Sequence, residues 1–351
     1  MRVASMSSRF LDACRRRPTD VRPVWFMRQA GRYLPQYREI RSKHGILDIC
    51  KRPELAATVT LQPVEILDVD AAIIFADLLL PAEPMGLKLR YSAGEGPVIA
   101  NPVRNASDID TLSTSNTDDL AYVGEAIQMV VRALAGRVPV IGFIGAPFTL
   151  ASYMIEGGGS RHYVNTKTLM YSAPQVWDEL LGKLVSVTSA YAVAQVRAGA
   201  DAIQVFDSWV GCLSPQDYRQ FVLPRTTELV QNLRRCSVPV IYFGTDTATL
   251  LSSMKQTEAD VIGLDWRIPL DEGWSRLGNL GAVQGNLDPV MLFSRWPQLK
   301  QRAQEILDRA AGRNGHIFNL GHGILPETPV ENVKALAAYV QEHSAKAAIQ
   351  R

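Results

Sequence analysis

Cysteine is scarce in this chain. Among 351 residues there are four, Cys14, Cys50, Cys212 and Cys236, far apart and in no C-x-x-C or H-x-C pairing. Such spacing signals neither a disulfide framework nor a zinc site. Long apolar runs are missing as well: stretches such as Val138–Ile144 are cut by Pro and Gly well short of the roughly 20 residues of a membrane helix. Charge of one sign is also missing, since 37 Lys and Arg against 35 Asp and Glu leave +2. That removes the basic bias of a nucleic-acid binder, so any anion site must be local. No G-x-G-x-x-G follows the first apolar run, and no G-K-[ST] follows Gly157-Gly158-Gly159. Neither a dinucleotide turn nor a P-loop is signalled, and the triple glycine reads as a flexible lid hinge. The N-terminus carries Arg2, Arg9 and Arg15–Arg17 but no apolar core of a signal peptide. Phe10–Arg17 reads as a first helix, and the expected compartment is a reducing cytoplasm ahead of a plastid stroma.

The composition, 47% hydrophobic and 21% charged, suits a globular protein with a substantial core, either one large α/β barrel or two ordinary domains. Eight short apolar runs recur: Val24–Met27, Ala71–Ala76, Pro139–Ile144, Ala202–Phe206, Pro239–Phe243, Asp260–Leu264, Ala282–Gln284 and Ile317–Leu320. Continuous rather than alternating apolarity marks strands buried on both faces, as in a parallel sheet. Helical patterns lie between them. Pro174–Gly199 is the clearest, Ser214 reads as the cap of a helix running to Leu233, and Thr328-Pro329-Val330-Glu331 reads as a capping box before the last helix. Eight strands alternating with helices predict an α/β fold, a single (β/α)8 TIM barrel spanning 1–351, ahead of an open doubly wound sheet. Two connections are too long for plain crossovers. One holds a candidate hairpin (Leu87–Val103, turning at Gly94–Gly96), and the other runs from Gly145 to Pro174. Both are expected to build or cover a site at the carboxyl-end face.

Candidate site residues stand where the runs end. After Val24–Met27 come Arg28 and Arg32, then Arg38 and Arg41. If the chain coils after Met27, Arg28 and Arg32 share one side of a turn, and guanidinium groups so placed suit carboxylates or phosphates. Arg38 reads as part of a solvated helix face. Asp77 follows six apolar residues, where a carboxylate must be paired or used. Tyr153, Ser208 beside Asp207, and His322 between two glycines complete the set, the glycines leaving the imidazole exposed. Asp265 and Gln284-Gly285-Asn286 read as support beneath the site. A Ser208–His322–Asp triad can be drawn, but no G-x-S-x-G elbow accompanies it.

The motifs M-R-Q-A-G-R-Y-L-P (Met27–Pro35), A-A-I-I-F-A-D (Ala71–Asp77), G-A-P-F-T-L-A-S-Y-M-I-E-G-G-G-S (Gly145–Ser160), F-D-S (Phe206–Ser208) and N-L-G-H-G-I-L-P (Asn319–Pro326) together resemble the uroporphyrinogen decarboxylase family, in order and over essentially the whole chain. The resemblance implies a cofactor-free, metal-free barrel, generally a homodimer, with neither nucleic acid nor membrane as partner. It converts the four acetate side chains of uroporphyrinogen III to the methyls of coproporphyrinogen III. It further implies that Arg28 and Arg32 bind substrate carboxylates together with the Gln29-Ala30-Gly31 turn, with Arg41 a further candidate. Asp77 would accept hydrogen bonds from the pyrrole N–H groups and stabilise the transition state. Arg28, Tyr153 and His322 would assist the reaction, and Tyr153, Ser208 and His322 would contact substrate. Two rivals remain: a barrel methyltransferase of the same superfamily, which would need a His/Cys zinc site, and a non-catalytic tetrapyrrole-binding protein, which would have no need of Asp77.

Overall fold

The computed structural model describes residues 8–92, 96–279 and 281–349; Arg2 and the hairpin's Gly94 lie outside the described residues. The strands are β1 Ala72–Ile73, β2 Leu89–Ser92, β3 Gly96–Ile99, β4 Val140–Gly145, β5 Ala202–Asp207, β6 Val240–Gly244, β7 Val261–Gly263, β8 Ala282–Leu287 and β9 His316–Leu320. Seven form one parallel sheet in the order β1-β4-β5-β6-β7-β8-β9, each paired with the next strand of the sheet in sequence. The intervening helices cover its outside, as consecutive right-handed crossovers require.

The first apolar run closes the ring without forming a regular strand. Val24 makes a parallel bridge to Phe318 of β9, and its carbonyl accepts the Asp70 N–H just before β1 at 2.8 Å. Side chains capture the donors that a ladder would otherwise use. Asp70 takes the Val24 N–H (2.8 Å), Gln29 takes that of Phe26 (3.0 Å) and Asn319 takes that of Met27 (3.0 Å). Seven strands and this bridged segment make the eight staves of a TIM barrel, each matching one of the eight apolar runs. Inside it Trp25 Nε1 donates to Gln284 Oε1 (3.0 Å), and Gln284 Nε2 donates to Gln204 Oε1 (3.2 Å). Gln284 therefore belongs to the packed interior beneath the carboxyl-end face. The buried apolar side chains, from Phe10 to Val340, form one contiguous cluster.

The helix Pro174–Ala198 runs as its periodicity predicts and stops where Gly199 turns left-handed at φ +119°. Ser214 caps its helix through the Asp217 N–H at 3.1 Å. That helix ends at Phe221, however, and a second, Leu223–Arg234, carries Pro224 in its first turn, where its missing N–H breaks no bond. The capping box expected at Thr328 does not form, because the Thr328 hydroxyl is buried without a partner and the helix begins at Val330. The hairpin is real: β2 and β3 pair antiparallel from Leu89–Ile99 to Ser92–Gly96.

Candidate active site

The segment after Met27 is a turn, not the helical coil expected of it. Arg28 sits at φ +60°, a left-handed conformation uncommon outside glycine. Gln29 holds the chain there. Its Oε1 accepts from Phe26 N–H, its Nε2 donates to Ala71 O at 3.0 Å, and its carbonyl accepts the Tyr33 hydroxyl at 2.8 Å. Gln29 is fully buried and its side-chain amide is spent on backbone, so that side chain fixes the course of the loop. Ala30 and Gly31 are half-buried in the same turn, and a Cβ on Gly31 would stand 3.0 Å from the Arg28 carbonyl oxygen.

Arg28 is exposed at its head, and its stem lies across Gly323, where an added Cβ would meet Arg28 Cδ at 2.3 Å. Among the described residues Arg28 and Arg32 form no salt bridge, whereas Lys51 and Arg52 pair with Glu83 and Asp48. Arg28 nonetheless faces three site groups, since its charge acts on Asp77, Tyr153 and His322. Arg32 is exposed on the turn and its charge is felt at Tyr37. Arg41 is spent on its own helix, Pro35–Lys43, donating to the His44 carbonyl at 2.9 Å and to Tyr37. Arg38 is exposed, as a solvated helix face requires.

Asp77 stands just past β1. Its Oδ1 accepts the Leu79 N–H at 2.8 Å and its Oδ2 accepts the Tyr91 hydroxyl. Burial pushes its carboxyl up from the usual range, while the Tyr91 and Leu79 donors and the Arg28 charge pull it back. Tyr153 lies on the helix Pro147–Glu156 after β4, its ring stacked on Trp209 at 3.7 Å. Burial and then the Asp77 charge push its phenol up to about 12, so it is a neutral donor at any working pH. Trp209 is placed in turn by Thr149, which accepts the Trp209 N–H (3.2 Å) and donates to Asp207 Oδ1 (2.7 Å). Tyr242 donates to the other oxygen of Asp207 at 2.8 Å. Asp207 is thus a fully buried brace. The neighbouring Ser208 is half-buried; its carbonyl accepts the Thr245 hydroxyl, and its own hydroxyl has no hydrogen-bond partner among the described residues.

His322 follows β9, and the glycines around it act differently from the expectation. They do not bare the imidazole. Gly321 admits the Trp266 backbone, whose N would lie 2.4 Å from an added Cβ, and Gly323 admits Arg28. The ring is consequently part-buried, and its pKa falls to about 4 through burial first, then the Arg28 and Arg267 charges. The Gly323 N–H donates to Nδ1 at 2.7 Å, which puts the single ring proton on Nε2. Arg267 bridges Asp246 and Asp265 at 2.8 Å each and lies over Trp266, while Asn286 Nδ2 ties the Asp265 carbonyl at 2.8 Å. Asp265 and Asn286 therefore do sit beneath the site. Among the described residues no three His, Cys, Asp or Glu side chains are grouped as a metal would require, and no helix is long and apolar enough to cross a membrane.

Residues that sequence reasoning passed over are Tyr91, Trp209, Thr149 and Arg267. Trp209, directly after Asp207-Ser208, carried the best available signal, a large aromatic at a strand end. Tyr91 carried only its place in a hairpin.

The Uroporphyrinogen decarboxylase (URO-D) family model matches residues 5–343. The chain belongs to the uroporphyrinogen decarboxylase family. It is 66% identical over 342 residues to "Uroporphyrinogen decarboxylase" of Solibacter usitatus (strain Ellin6076), covering 97% of this chain and 99% of that one. To the protein of the same description in Koribacter versatilis (strain Ellin345) it is 62% identical over 345 residues, covering 98% of each. Among solved structures, a methyltransferase from Methanosarcina mazei superposes with TM-score 0.78 at 23% identity, over 95% of this chain and 98% of that one. A B12-independent methionine synthase from Shewanella sp. W3-18-1 superposes with TM-score 0.57 at 10% identity, over 86% and 90%. Those two likenesses concern the barrel alone. The uroporphyrinogen decarboxylase motifs of this chain lie at the barrel's carboxyl-end face.

Proposed function

We propose the following residue roles for the reaction of this family, the cofactor-free decarboxylation of the four acetate side chains of uroporphyrinogen III to methyls, giving coproporphyrinogen III and carbon dioxide. The observation that carries them is one arrangement: an Arg28 without an acidic partner among the described residues, a braced Asp77 carboxyl and a neutral His322 share one strand-end face. Arg28 binds substrate carboxylates, with Arg32 reaching further out on the same turn; Arg41, turned onto its own helix, contributes at most at the margin. Tyr153 through its phenol, His322 through Nε2–H and Ser208 through its free hydroxyl donate to the carboxylates of the reacting ring and its neighbours.

The electron balance identifies the work of Asp77. Breaking the bond between an acetate methylene and its carboxylate leaves an electron pair, and protonation of the pyrrole at a ring carbon creates the cationic sink that receives it. Carbon dioxide leaves, a proton is added to the exocyclic carbon and the ring proton is returned, so that one proton replaces one carbon dioxide. A fixed carboxylate in a sheltered site stabilises the cation as it forms, because it needs no reorganisation. His322, with its pKa near 4, holds no spare proton at neutrality. It is a hydrogen-bond donor through Nε2–H, and the first proton comes from held water or the incoming substrate.

The whole of 1–351 acts in this reading as one barrel domain, in the cytoplasm and as a homodimer; light scattering on the purified protein tests the dimer. Anaerobic incubation with reduced uroporphyrinogen III, without additives, tests the reaction. Successive hepta-, hexa-, penta- and tetracarboxylate products are expected, undiminished by chelators, and tightly bound but unchanged substrate would overturn it. Asp77→Asn, which keeps shape and removes charge, is expected to fold normally yet lose most turnover, about a hundredfold or more on the scale of a lost charge stabiliser. Near-parental turnover would remove Asp77 from the mechanism.

A further inference from the structure

Tyr91 contacts the reacting face although the chemistry above does not call for it. It stands on β2 and its hydroxyl donates to Asp77 Oδ2, opposite the Leu79 N–H on Oδ1. Two donors on opposite oxygens fix the plane of a carboxylate and leave one lone pair on each for another donor. The hairpin that brings Tyr91 is itself anchored. Ile99 N–H donates to Gly157 O at 2.8 Å and Val103 N–H to Met154 O at 2.9 Å, both at the end of the helix that carries Tyr153. Gly157 is the left-handed cap of that helix, at φ +83°, packed against Pro102 and the Ile99 carbonyl. The triple glycine is therefore a docking point for the hairpin rather than the hinge expected of it. Asp77, Tyr91, the hairpin and the Tyr153 helix are held as one braced unit.

We propose that Tyr91 is a positioning residue for this reaction, holding the plane of the Asp77 carboxyl so that its free lone pairs are aimed at the substrate's N–H groups. The proposal rests on the function given above. Burial and the Asp77 charge push the Tyr91 phenol far above its ordinary value, so the proton stays on Tyr91 and the bond runs in one direction. Besides Tyr91, Asp77 faces Arg28, which favours its charge, and Glu83, which opposes it. Tyr153, Cys50, Tyr122 and Tyr191 also feel its charge, and burial or nearby acids push each of them up, so all four stay neutral. Tyr91 is the only side-chain hydroxyl bonded to Asp77 among the described residues. Its loss removes the largest of the influences that lower the Asp77 pKa. The carboxyl pKa must then rise, and the acid side of the activity profile must move to higher pH.

The test uses the full chain as the parent, Tyr91→Phe and Tyr91→Leu, with Asp77→Asn as reference. Infrared difference spectra against pH, parent minus Asp77→Asn, isolate the Asp77 carboxyl band without any substrate. Both hydroxyl-free variants should raise its midpoint by about one pH unit, the size expected for a hydrogen bond to a charged group. The acid limb of kcat against pH should move by the same amount, with KM little changed. An unmoved carboxyl midpoint overturns the proposal, whatever the activity. Failure of the parent to decarboxylate uroporphyrinogen overturns the functional reading instead, and the spectra still judge the hydrogen bond.

Discussion

Arg28 shows what one residue can require of its surroundings. Its head is free for an anion because no acid among the described residues pairs with it, and its stem is laid down only because position 323 has no Cβ. Arg28→Ala is therefore expected to raise KM by about tenfold or more, the loss of one charge-assisted pair. Gly323→Ala should fold normally, since the obstruction is a flexible side chain, yet raise KM in the same direction by displacing Arg28. Steady-state kinetics with circular dichroism check both, and parental KM in Gly323→Ala would show that the stem can lie elsewhere. The arginines and Asp77 were legible in the sequence because charges that end apolar runs need a reason. The glycines beside His322 were misread, because the sequence shows that bulk is absent and not which neighbour uses the space. The bonds of the Gln29 side chain to the Phe26 N–H and the Ala71 carbonyl were not legible either, because one of those partners lies 42 residues away.

Elements hold the site by bracing one another. The end of β5 carries Asp207, which anchors Thr149, which places Trp209, on which Tyr153 is stacked. Thr149→Val keeps the shape and removes a hydroxyl that both donates to Asp207 and accepts from Trp209. It should lower kcat by about tenfold through misplacement of Tyr153, whereas Thr149→Ser should stay near the parent. Equal losses in both variants would show that packing, not the hydrogen bonds, sets the ring. The eight staves were readable because strands buried on both faces are apolar throughout. The first stave's reduction to a bridge was not, since the side chains that intercept its N–H groups come from 70, 29 and 319. The hairpin was visible in outline, but its hydrogen bond to Asp77 was not.

At the scale of the whole molecule, buried titratable groups tie stability to pH in opposite senses. His316 is fully buried, its Nε2–H donating to the Gly285 carbonyl at 2.9 Å, and burial lowers its pKa to about 3. An unfolded histidine titrates near 6.5, so the unfolded chain binds the extra proton between those values. Its contribution is complete above about 6.5 and is lost as pH falls toward 3, by up to about 1.4 kcal/mol per pH unit. Asp207 works the other way. Burial raises its pKa to about 6, so its contribution is complete below about 4 and is lost as pH rises through 6. His316 spans the wider interval, and His316→Gln is expected to flatten the fall in urea midpoint between pH 6.5 and 4. An unchanged slope would assign acid sensitivity to other groups.

The sequence by itself determined the eight staves, the local character of the anion site and the strand-end positions of Arg28, Asp77, Tyr153, Ser208 and His322. Those follow from apolar runs and from the cost of ending them on charge, which are properties of neighbours along the chain. Tertiary structure alone decided which hydrogen bonds those residues keep: Tyr91 on Asp77, Gly323 N–H on His322, and Arg41 turned back onto its own helix. Such partners lie on separate elements or depend on the exact course of the backbone. Desolvation and hydrogen-bond direction, which determine whether a group is charged or neutral, exist only once the barrel has closed around them.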